Sequence, residues 1–364
     1  MRLISVMHEP IGVGVVGFGL AGRVFHTAVV EATPGLELKC VVERSGDDAA
    51  RAYPRAKQAR SMEEMLRDVG IALVVIATPS YSHFELARQC LREQRHVVID
   101  KPFTLTSAEA AELTRTARER KLLLTAYQNR RWDGDFQTVR QVIASGELGQ
   151  LVSFESHFDR FRPEPRTDVW RESGGPGSGT LFDLGPHLID QALTLFGKPE
   201  TIVASVRVER EQARADDAFD IFLEYAAPHR MSVLLRATMT ACTPGPRYVL
   251  HGMKGSFTKC GLDPQEGQLK AGMGFDAPGF GEEAQTAWGE LRICDGRNGS
   301  VVRRVPTLRG DYRGFYENVR DALLGRAQLA VTSEQAWQTT RLIELARESS
   351  GQGRRLRVEF AAQP

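Results

Sequence analysis

Val13-Gly-Val-Val-Gly17-Phe-Gly19-Leu-Ala-Gly22 places a G-x-G-x-x-G between an apolar run and a predicted helix. The first glycine allows a sharp turn after a strand, the second lets backbone N–H groups approach a pyrophosphate, and the third lets the helix pack closely. The helix N-terminus also offers unsatisfied N–H groups to an anion. The predicted dinucleotide-binding residues are Gly17, Phe18, Gly19, Leu20, Ala21 and Gly22.

The residues after this turn strengthen the prediction. A second apolar segment, Leu36 to Val42, ends at Glu43, and strand, turn, helix, strand and acid in this order are typical of a dinucleotide-binding unit. The alternative is an ordinary glycine-rich turn in a chain with 34 glycines. Glu43 suits the 2′-hydroxyl of NAD, whereas Arg44 and Ser45 suit the 2′-phosphate of NADP. Arg44 could equally be a solvent-exposed arginine.

Length and composition bound the class of protein. A chain of 364 residues is long enough for two domains. Its 47 Lys and Arg against 46 Asp and Glu give a net charge of +1, so we expect neither a nucleic acid nor a membrane partner. No apolar segment is long enough for a signal sequence or a membrane span, and we expect a cytoplasmic protein. The five cysteines lack C-x-x-C spacing, and no metal site is expected.

The order of apolar segments predicts an α/β architecture. Strand-like runs at 71–77, 96–99 and 122–126 alternate with three predicted helices. Ser61 and Glu64 form a capping box for the first helix, the second spans residues 82–93, and Ser107 caps the third. We therefore predict a Rossmann domain, a doubly wound parallel sheet, over residues 1–128.

The second half of the chain has a different pattern. Strand-like segments at 151–158, 201–209, 219–225, 231–238 and 247–250 predict an α+β domain with a mainly antiparallel open sheet over residues 129–364. Helices are predicted at 313–324 and 333–349, and they could pack back on the first domain. Residues 263–289 are predicted to be a long loop, either on the surface or covering a site.

Two turns of the first domain follow predicted parallel strands, where open α/β sheets bind ligands. The first contains Ala77, Thr78, Pro79 and His83, and the second contains Asp100 and Lys101 before Pro102. A lysine in such a turn can donate to a substrate oxygen and stabilise developing negative charge. Read separately, each could be an ordinary turn.

Further candidates lie in or near the second domain. Asp183, His187 and Asp190 share one face of a predicted helix, and a carboxylate beside an imidazole suits a general base, although a structural pair is equally open. The segment after the last strand of the first domain, with Asn129, Arg130, Arg131 and Trp132, could bind polyhydroxylated or anionic ligands. His157 and Asp159 alternate along a strand and would face the same side, where the alternative to a binding role is ordinary core and surface positions of the strand.

Taken in order, these motifs resemble the glucose-fructose oxidoreductase/inositol dehydrogenase/MocA family over almost the whole chain. The resemblance rests on the glycine turn, Thr78-Pro79 with His83, Lys101-Pro102, and Asp183 with His187. Three stretches are similar to a bacterial subgroup that includes NADP-dependent scyllo-inositol dehydrogenases: Phe18 to His26, Asn129 to Phe136 and Gly255 to Asp263. Asp100 stands where the family usually has glutamate.

The resemblance implies hydride transfer between a nicotinamide cofactor, NADP or alternatively NAD, and a CH–OH group of an inositol, sugar or related polyol. Lys101 would polarise the reacting oxygen, His187 would be the general acid/base, and Asp183 would support them. From the residues themselves we expect substrate contacts from Arg130, Arg131, Trp132, His157 and Asp159, and cofactor contacts from the two turns and Asn129. The resemblance implies a homodimer or homotetramer formed through the second sheet. An NAD-dependent glycoside hydrolase and a non-catalytic nucleotide sensor remain alternatives.

Overall fold

The computed structural model describes residues 9–166, 168–228, 230–294 and 299–360. Within these ranges the chain forms two compact units, one from residues 9–103, 112–127 and 312–333 and the other from 104–111, 128–311 and 334–360. The described part of the first unit holds a six-stranded parallel sheet and that of the second a nine-stranded, mainly antiparallel sheet. This confirms the predicted fold class.

The first sheet has the strand order of dinucleotide-binding folds. Its strands are β1 (Ile11–Val16), β2 (Leu36–Val42), β3 (Lys57–Ala59), β4 (Leu73–Ile76), β5 (His96–Ile99) and β6 (Leu124–Ala126). They are arranged β3-β2-β1-β4-β5-β6 and all pairs are parallel. Every residue of β4 is buried, as expected of a strand covered on both faces. The carboxyl ends of β1, β4 and β5 therefore carry the predicted cofactor turns.

The predicted helices lie close to their expected positions. In chain order the helices are a π-helical segment (Ala21–Thr27) continuous with α1 (Ala28–Glu31), α2 (Asp48–Ala52), α3 (Met62–Leu66), α4 (His83–Arg92), α5 (Ser107–Glu119), α6 (Gly134–Ala144), α7 (Thr180–Phe196), α8 (Gln265–Lys270), α9 (Arg313–Leu323) and α10 (Ser333–Gln352). Of these, α2, α6 and α8 are not predicted from the sequence. In the described part of the chain, no helix combines the length and the apolar character needed to cross a membrane.

The predicted cap of α5 is wrong by one residue. Thr106 Oγ1 accepts the N–H of Glu109 at 3.2 Å, and the Glu109 carboxylate accepts the N–H of Thr106 at 3.1 Å. This reciprocal pair is a capping box, and its T-x-x-E spacing is satisfied one position earlier than Ser107. Ser107 instead donates its N–H and hydroxyl to Glu344, at 2.7 and 2.6 Å.

The second sheet is built around one parallel pair. Its strands are β7 (Leu151–Asp159), β8 (Thr201–Arg207), β9 (Ala218–Tyr225), β10 (Met231–Thr238), β11 (Tyr248–Gly252), β12 (Gly255–Lys259), β13 (Gly289–Cys294), β14 (Ser300–Val305) and β15 (Leu356–Arg357). The described strands are ordered β14-β13-β12-β11-β7-β10-β9-β8-β15, with β7 and β10 parallel and the other pairs antiparallel. Helix α7 packs on one face through contacts such as that between the rings of Phe154 and Phe196, 5.2 Å apart.

Helix α9 belongs to the first unit. Its buried Phe315 and Tyr316 contact Tyr127, with ring centroids 4.8 and 5.7 Å apart. Arg320 donates to the carbonyl oxygen of Pro34 at 2.7 Å. The aromatic face of α9 thus packs residues 312–333 into the unit that contains the dinucleotide-binding sheet.

Candidate functional site

The glycine turn has the geometry that its sequence predicts. Gly17 has φ +100°, and a Cβ there would lie 2.8 Å from the Ala77 carbonyl oxygen. A Cβ on Gly22 would lie 1.9 Å from the Gly17 carbonyl oxygen, so the helix can approach the turn this closely only with glycine. A Cβ on Gly19 would meet no atom within 4 Å. The turn therefore fits a pyrophosphate, with space left at the position where a ligand approaches most closely.

The wide helical turn that follows is stabilised by Thr27. Its hydroxyl donates to the carbonyl oxygens of Gly22 and Arg23, at 2.9 and 3.1 Å. In a π-helical segment the backbone carbonyls lose their usual i→i+4 partners, and such segments often occur at functional sites. Here the π-helical segment begins at Ala21 and so includes the last two predicted dinucleotide-binding residues, Ala21 and Gly22.

These three positions allow a matched test of the turn. We expect Gly19→Ala to leave the melting temperature unchanged, because no protein atom opposes the added methyl, but to weaken dinucleotide binding on the order of tenfold or more. Gly22→Ala should lower the melting temperature by several degrees, since overpacking costs about 1–3 kcal/mol. Calorimetry and thermal denaturation measure both, with Gly351→Ala as the control. Unchanged cofactor affinity in Gly19→Ala would show that the turn does not bind the cofactor.

The acid after β2 is held by its own loop. Glu43 is half-buried, and its Oε2 accepts from the Ala49 N–H and from Gln58 Nε2, both at 2.9 Å. Arg60 donates to the Glu43 carbonyl oxygen at 3.1 Å and pairs with Asp47 at 2.7 Å. The loop is thereby fixed in place. Arg44 and Ser45, between these anchors, are exposed.

The turns after β4 and β5 are joined by His83. Its Nδ1 lies 2.8 Å from the Pro102 carbonyl oxygen and its Nε2 lies 2.9 Å from the Thr78 carbonyl oxygen. Burial lowers the pKa of the His83 imidazole. The structure thus places this side chain between the two turns, where it positions them, while Ala77 packs beneath the glycine turn.

Asp100 fixes the backbone of the lysine turn. Its Oδ1 accepts the Lys101 N–H at 2.9 Å and lies 3.6 Å from Nε2 of buried His26, whose Nδ1 is 2.7 Å from the Tyr316 hydroxyl. Burial alone would raise the pKa of Asp100, but the adjacent His26 imidazole and the charge of Lys101 lower it overall. The carboxylate is therefore ionised and committed to holding the turn. Sequence reasoning missed His26 and Tyr316, which are 290 residues apart.

In the second unit, α7 begins directly after the glycine-rich stretch 174–179. Gly179 has φ +100°, and Asp216 accepts the Leu181 N–H at 2.7 Å on its carboxylate and the Thr180 N–H at 2.8 Å on its carbonyl oxygen. Burial raises the pKa of the Asp216 carboxyl. Asp216 thus caps the helix from another part of the chain, which no local pattern could have shown.

The three predicted residues of α7 have different surroundings. Asp183 is half-buried and pairs with Arg171 Nε at 3.2 Å, and His187 is buried one helical turn further on. Asp190 forms a buried bidentate pair with Arg131, at 2.8 and 2.7 Å. The carboxylate of Asp190 and the guanidinium of Arg131 therefore neutralise each other within the second unit.

The segment after β6 is also tied into the second unit. Arg130 pairs with Asp133 at 3.1 Å and with Glu266 at 2.5 Å, and its guanidinium lies 4.9 Å from the Phe158 ring centroid. Burial would raise the pKa of Glu266, but the charge of Arg130 and the hydrogen bond of Lys270 lower it to about 2. Asn129 is buried and Trp132 half-buried.

Residues 263–289 are more ordered than the predicted loop. They contain α8 and a short 3₁₀ turn (Gln285–Ala287), and Phe275 and Phe280 are buried with ring centroids 4.8 Å apart. The Asp263 carboxylate accepts the Gly134 N–H at 2.6 Å at the start of α6. Burial and the neighbouring charge of Asp135 raise the pKa of Asp263 to about 6. Because residues 263–289 are rich in Gly, Pro and Glu, their sequence does not indicate these buried contacts.

His157 and Asp159 lie on the other face of the second sheet. Phe154, Ser156 and Phe158 are the buried residues of β7 on the α7 side, and the period-two alternation turns His157 and Asp159 away from them. His157 Nε2 lies 3.0 Å from Glu155 Oε2, and its Nδ1 is 3.9 Å from Asp159. The structure therefore does not bring this pair together with Asp183 and His187.

The parallel sheet, its glycine turn and the acid after β2 define a dinucleotide-binding protein with a second α+β unit. Among the described residues, no group of three or more His, Cys, Asp or Glu side chains is arranged to hold a metal ion. Residues 11–128 match the model of the oxidoreductase family NAD-binding Rossmann fold, and residues 140–360 match that of the oxidoreductase family C-terminal alpha/beta domain. The chain therefore belongs to the glucose-fructose oxidoreductase/inositol dehydrogenase/MocA family.

Individual relatives are similar over nearly their full length. The chain is 41% identical over 345 residues to the uncharacterized oxidoreductase YdgJ of Escherichia coli (strain K12), covering 94% of this chain and 97% of the relative. It is 35% identical over 351 residues to the scyllo-inositol 2-dehydrogenase (NADP(+)) IolW of Bacillus subtilis (strain 168), covering 96% and 97%. The solved structure of yvaA from Bacillus subtilis has a TM-score of 0.92 at 35% identity and covers 96% of this chain and 99% of its own.

Proposed function

We propose that this oxidoreductase transfers hydride between NADP and a CH–OH group of an inositol, sugar or related polyol, or reduces the corresponding ketone or aldehyde. The observation that carries the proposal is the glycine turn, because Gly17, Gly19 and Gly22 each meet a distinct requirement of pyrophosphate binding. The similarity to a relative named scyllo-inositol 2-dehydrogenase (NADP(+)) supports the substrate class.

The proposed roles follow the chemistry of the side chains. The bound nicotinamide supplies the hydride acceptor or donor. Lys101 hydrogen-bonds the reacting oxygen of the substrate and stabilises negative charge that develops there. His187 accepts the hydroxyl proton in oxidation and returns it in reduction. Asp183 keeps a negative charge on the same face of α7, one turn from His187.

The loop after β2 supports the choice of NADP. Gln58 and the Ala49 N–H already occupy Glu43 Oε2, while Arg44 and Ser45 are exposed on a loop fixed by Arg60. A guanidinium and a hydroxyl suit a 2′-phosphate, and a charge-assisted hydrogen bond is worth about 1.5–3 kcal/mol. We therefore propose that Arg44 and Ser45 bind the 2′-phosphate, with NAD as the weaker cofactor.

Arg44→Ala should reduce the preference for NADP over NAD, measured as the ratio of their kcat/KM values, by about tenfold or more. The rate with NAD should change little, because NAD has no 2′-phosphate. Arg67→Ala, which removes another exposed arginine of the first unit, is the control. A ratio unchanged by Arg44→Ala, or a wild-type preference for NAD, would assign the choice to Glu43 instead.

The class of reaction is tested with the purified chain, NADP or NAD, and a panel of inositols and sugars. We expect reduced nicotinamide to accumulate with at least one polyol, and the true cofactor to raise the melting temperature by mass action. Release of sugar from an aryl glycoside with no net cofactor reduction would instead favour the hydrolase alternative.

We also propose that the chain acts in the cytoplasm on small molecules and forms a homodimer or homotetramer through the second sheet. The face of that sheet opposite α7 carries Phe222, whose exposed fraction of 37% is large for an apolar side chain in the middle of a strand. Sedimentation analysis giving the mass of a single chain would exclude the assembly.

A further inference from the structure

A pocket in the second unit lies beside Asp183 and is rich in arginine. Its lining includes Arg162, Arg166, Arg171, Arg210 and Arg214. A guanidinium group at a pocket attracts an anion when no carboxylate of the protein neutralises its charge. The ion pairs of these five arginines therefore decide whether the pocket can bind an anion.

Two of the five arginines are neutralised by the protein. Arg166 Nε pairs with Glu172 Oε1 and Arg210 Nη2 pairs with Glu172 Oε2, both at 2.9 Å. Arg210 Nε also pairs with buried Asp217 at 2.9 Å. These two side chains form the wall of the pocket and hold it in shape.

The other three arginines retain free hydrogen-bonding capacity. Among the residues that the structure describes, Arg162 and Arg214 have no carboxylate partner. Arg171 uses Nε for Asp183, and its guanidinium stacks over the Trp170 ring at 4.8 Å. The pair with Arg171 also offsets the negative charge of Asp183, so this carboxylate does not repel an anion in the pocket.

A sixth arginine lies near this group. The guanidinium of partly buried Arg160 lies 4.9 Å from the Phe158 ring centroid and has no hydrogen-bond or ion-pair partner within the described ranges. Burial lowers the pKa of Arg160, as does the charge of Arg162, while the carboxylates of Asp183 and Glu266 raise it. Withdrawing a guanidinium from water costs free energy unless an anion or hydrogen bonds compensate it.

We propose that this pocket binds an acidic group of the substrate through Arg162, Arg171 and Arg214, so that the enzyme acts on an anionic polyol. The acidic group is a carboxylate or a phosphate, as in a sugar acid or a sugar phosphate. The oxygens of either group match the hydrogen-bond donors of a guanidinium. This inference rests on the proposed function, of which it specifies the substrate class. Neutral polyols then bind more weakly, because they leave the arginines without a partner.

Trp170 provides a test that needs neither cofactor nor turnover. Because Arg171 stacks on the indole, an anion that binds Arg171 should change the fluorescence of Trp170. The holoprotein and the cofactor-free protein are titrated with D-glucuronate, D-glucose 6-phosphate and D-glucose, and the signal is assigned with Trp170→Phe. We expect a saturable change with at least one of the two anions, and a preference between them identifies carboxylate or phosphate.

Arginine variants connect this signal to the pocket. Arg162→Gln and, separately, Arg214→Gln should weaken anion binding about tenfold. Arg292→Gln, which removes an exposed arginine of β13, the second strand from the far edge of the sheet, should not. Equal affinity for glucose and both anions, the absence of a saturable signal, or an unchanged affinity in both pocket variants would overturn the inference.

Turnover with the same compounds separates this inference from the proposed function. Oxidation of glucuronate or glucose 6-phosphate with a kcat/KM at least tenfold above that of glucose, lost in Arg162→Gln, supports both. Equal oxidation of neutral and anionic polyols leaves the proposed function standing and overturns the inference. Saturable anion binding without any oxidation supports the pocket and contradicts the proposed reaction.

Discussion

Lys101→Met is expected to lower kcat about a thousandfold, since removing one donor to a developing oxyanion costs on the order of 10²–10³ in rate. The substitution keeps the length of the side chain and removes its charge. The turn itself should persist, because Asp100 binds the Lys101 backbone N–H and His83 binds the Pro102 carbonyl oxygen. The loss should therefore appear in kcat while the dissociation constant of the cofactor stays within a few-fold of wild type.

The control for this prediction is Lys254→Met, which removes an exposed lysine of the second unit. Steady-state kinetics and calorimetric cofactor binding are measured on both variants. Wild-type turnover in Lys101→Met would remove the lysine from the reaction, and a parallel loss of cofactor affinity would show that the lysine positions the cofactor instead.

His187→Gln is expected to lower kcat/KM by about 10²–10⁴, the range that general acid/base catalysis contributes. Glutamine fills the space of the buried imidazole and keeps a hydrogen-bonding group, so the core around α7 should tolerate it. The rate of the variant should also lose the dependence on pH that an imidazole base produces. Rates measured from about pH 5 to about pH 9, a range that includes the titration of an imidazole, give both the loss of kcat/KM and the change in pH dependence.

His251→Gln serves as the matched control, because this histidine is exposed on β11 and its side chain hydrogen-bonds only Ser256 among the described residues. If His187→Gln retains the wild-type pH profile at a reduced rate, the imidazole is a structural group and another residue moves the proton.

Local chemistry accounts for the parts of the fold that the sequence predicts. The alternation of buried strands and helices predicts the parallel sheet, and the spacing of Gly17, Gly19 and Gly22 predicts the turn between β1 and the helix, because each requirement is met within a few residues. Strands β12 to β14 are not predicted from the sequence. Most of β14 is exposed, so its sequence lacks the apolar alternation by which a half-buried strand is recognised.

Long-range pairs account for what the sequence does not show. Asp190 shares a helix face with Asp183 and His187, yet its carboxylate pairs with Arg131, 59 residues earlier. His26 supports Asp100, and Asp216 caps α7. Each of these side chains is ordinary in its local context, and only the folded chain shows its partner. A local motif therefore predicts the position of a turn or a helix. Whether a carboxylate has a structural or a catalytic role can be decided only when the side chain that pairs with it is known.

The most direct test of the central claim is a simultaneous measurement of carbonyl product and reduced nicotinamide with the purified protein, NADP and the panel of neutral and anionic polyols. We predict that at least one polyol yields a ketone or aldehyde with one reduced nicotinamide per carbonyl formed, and that Lys101→Met and His187→Gln abolish both products together. Formation of product without net cofactor reduction, or cofactor binding with no carbonyl formed from any polyol, would contradict the account.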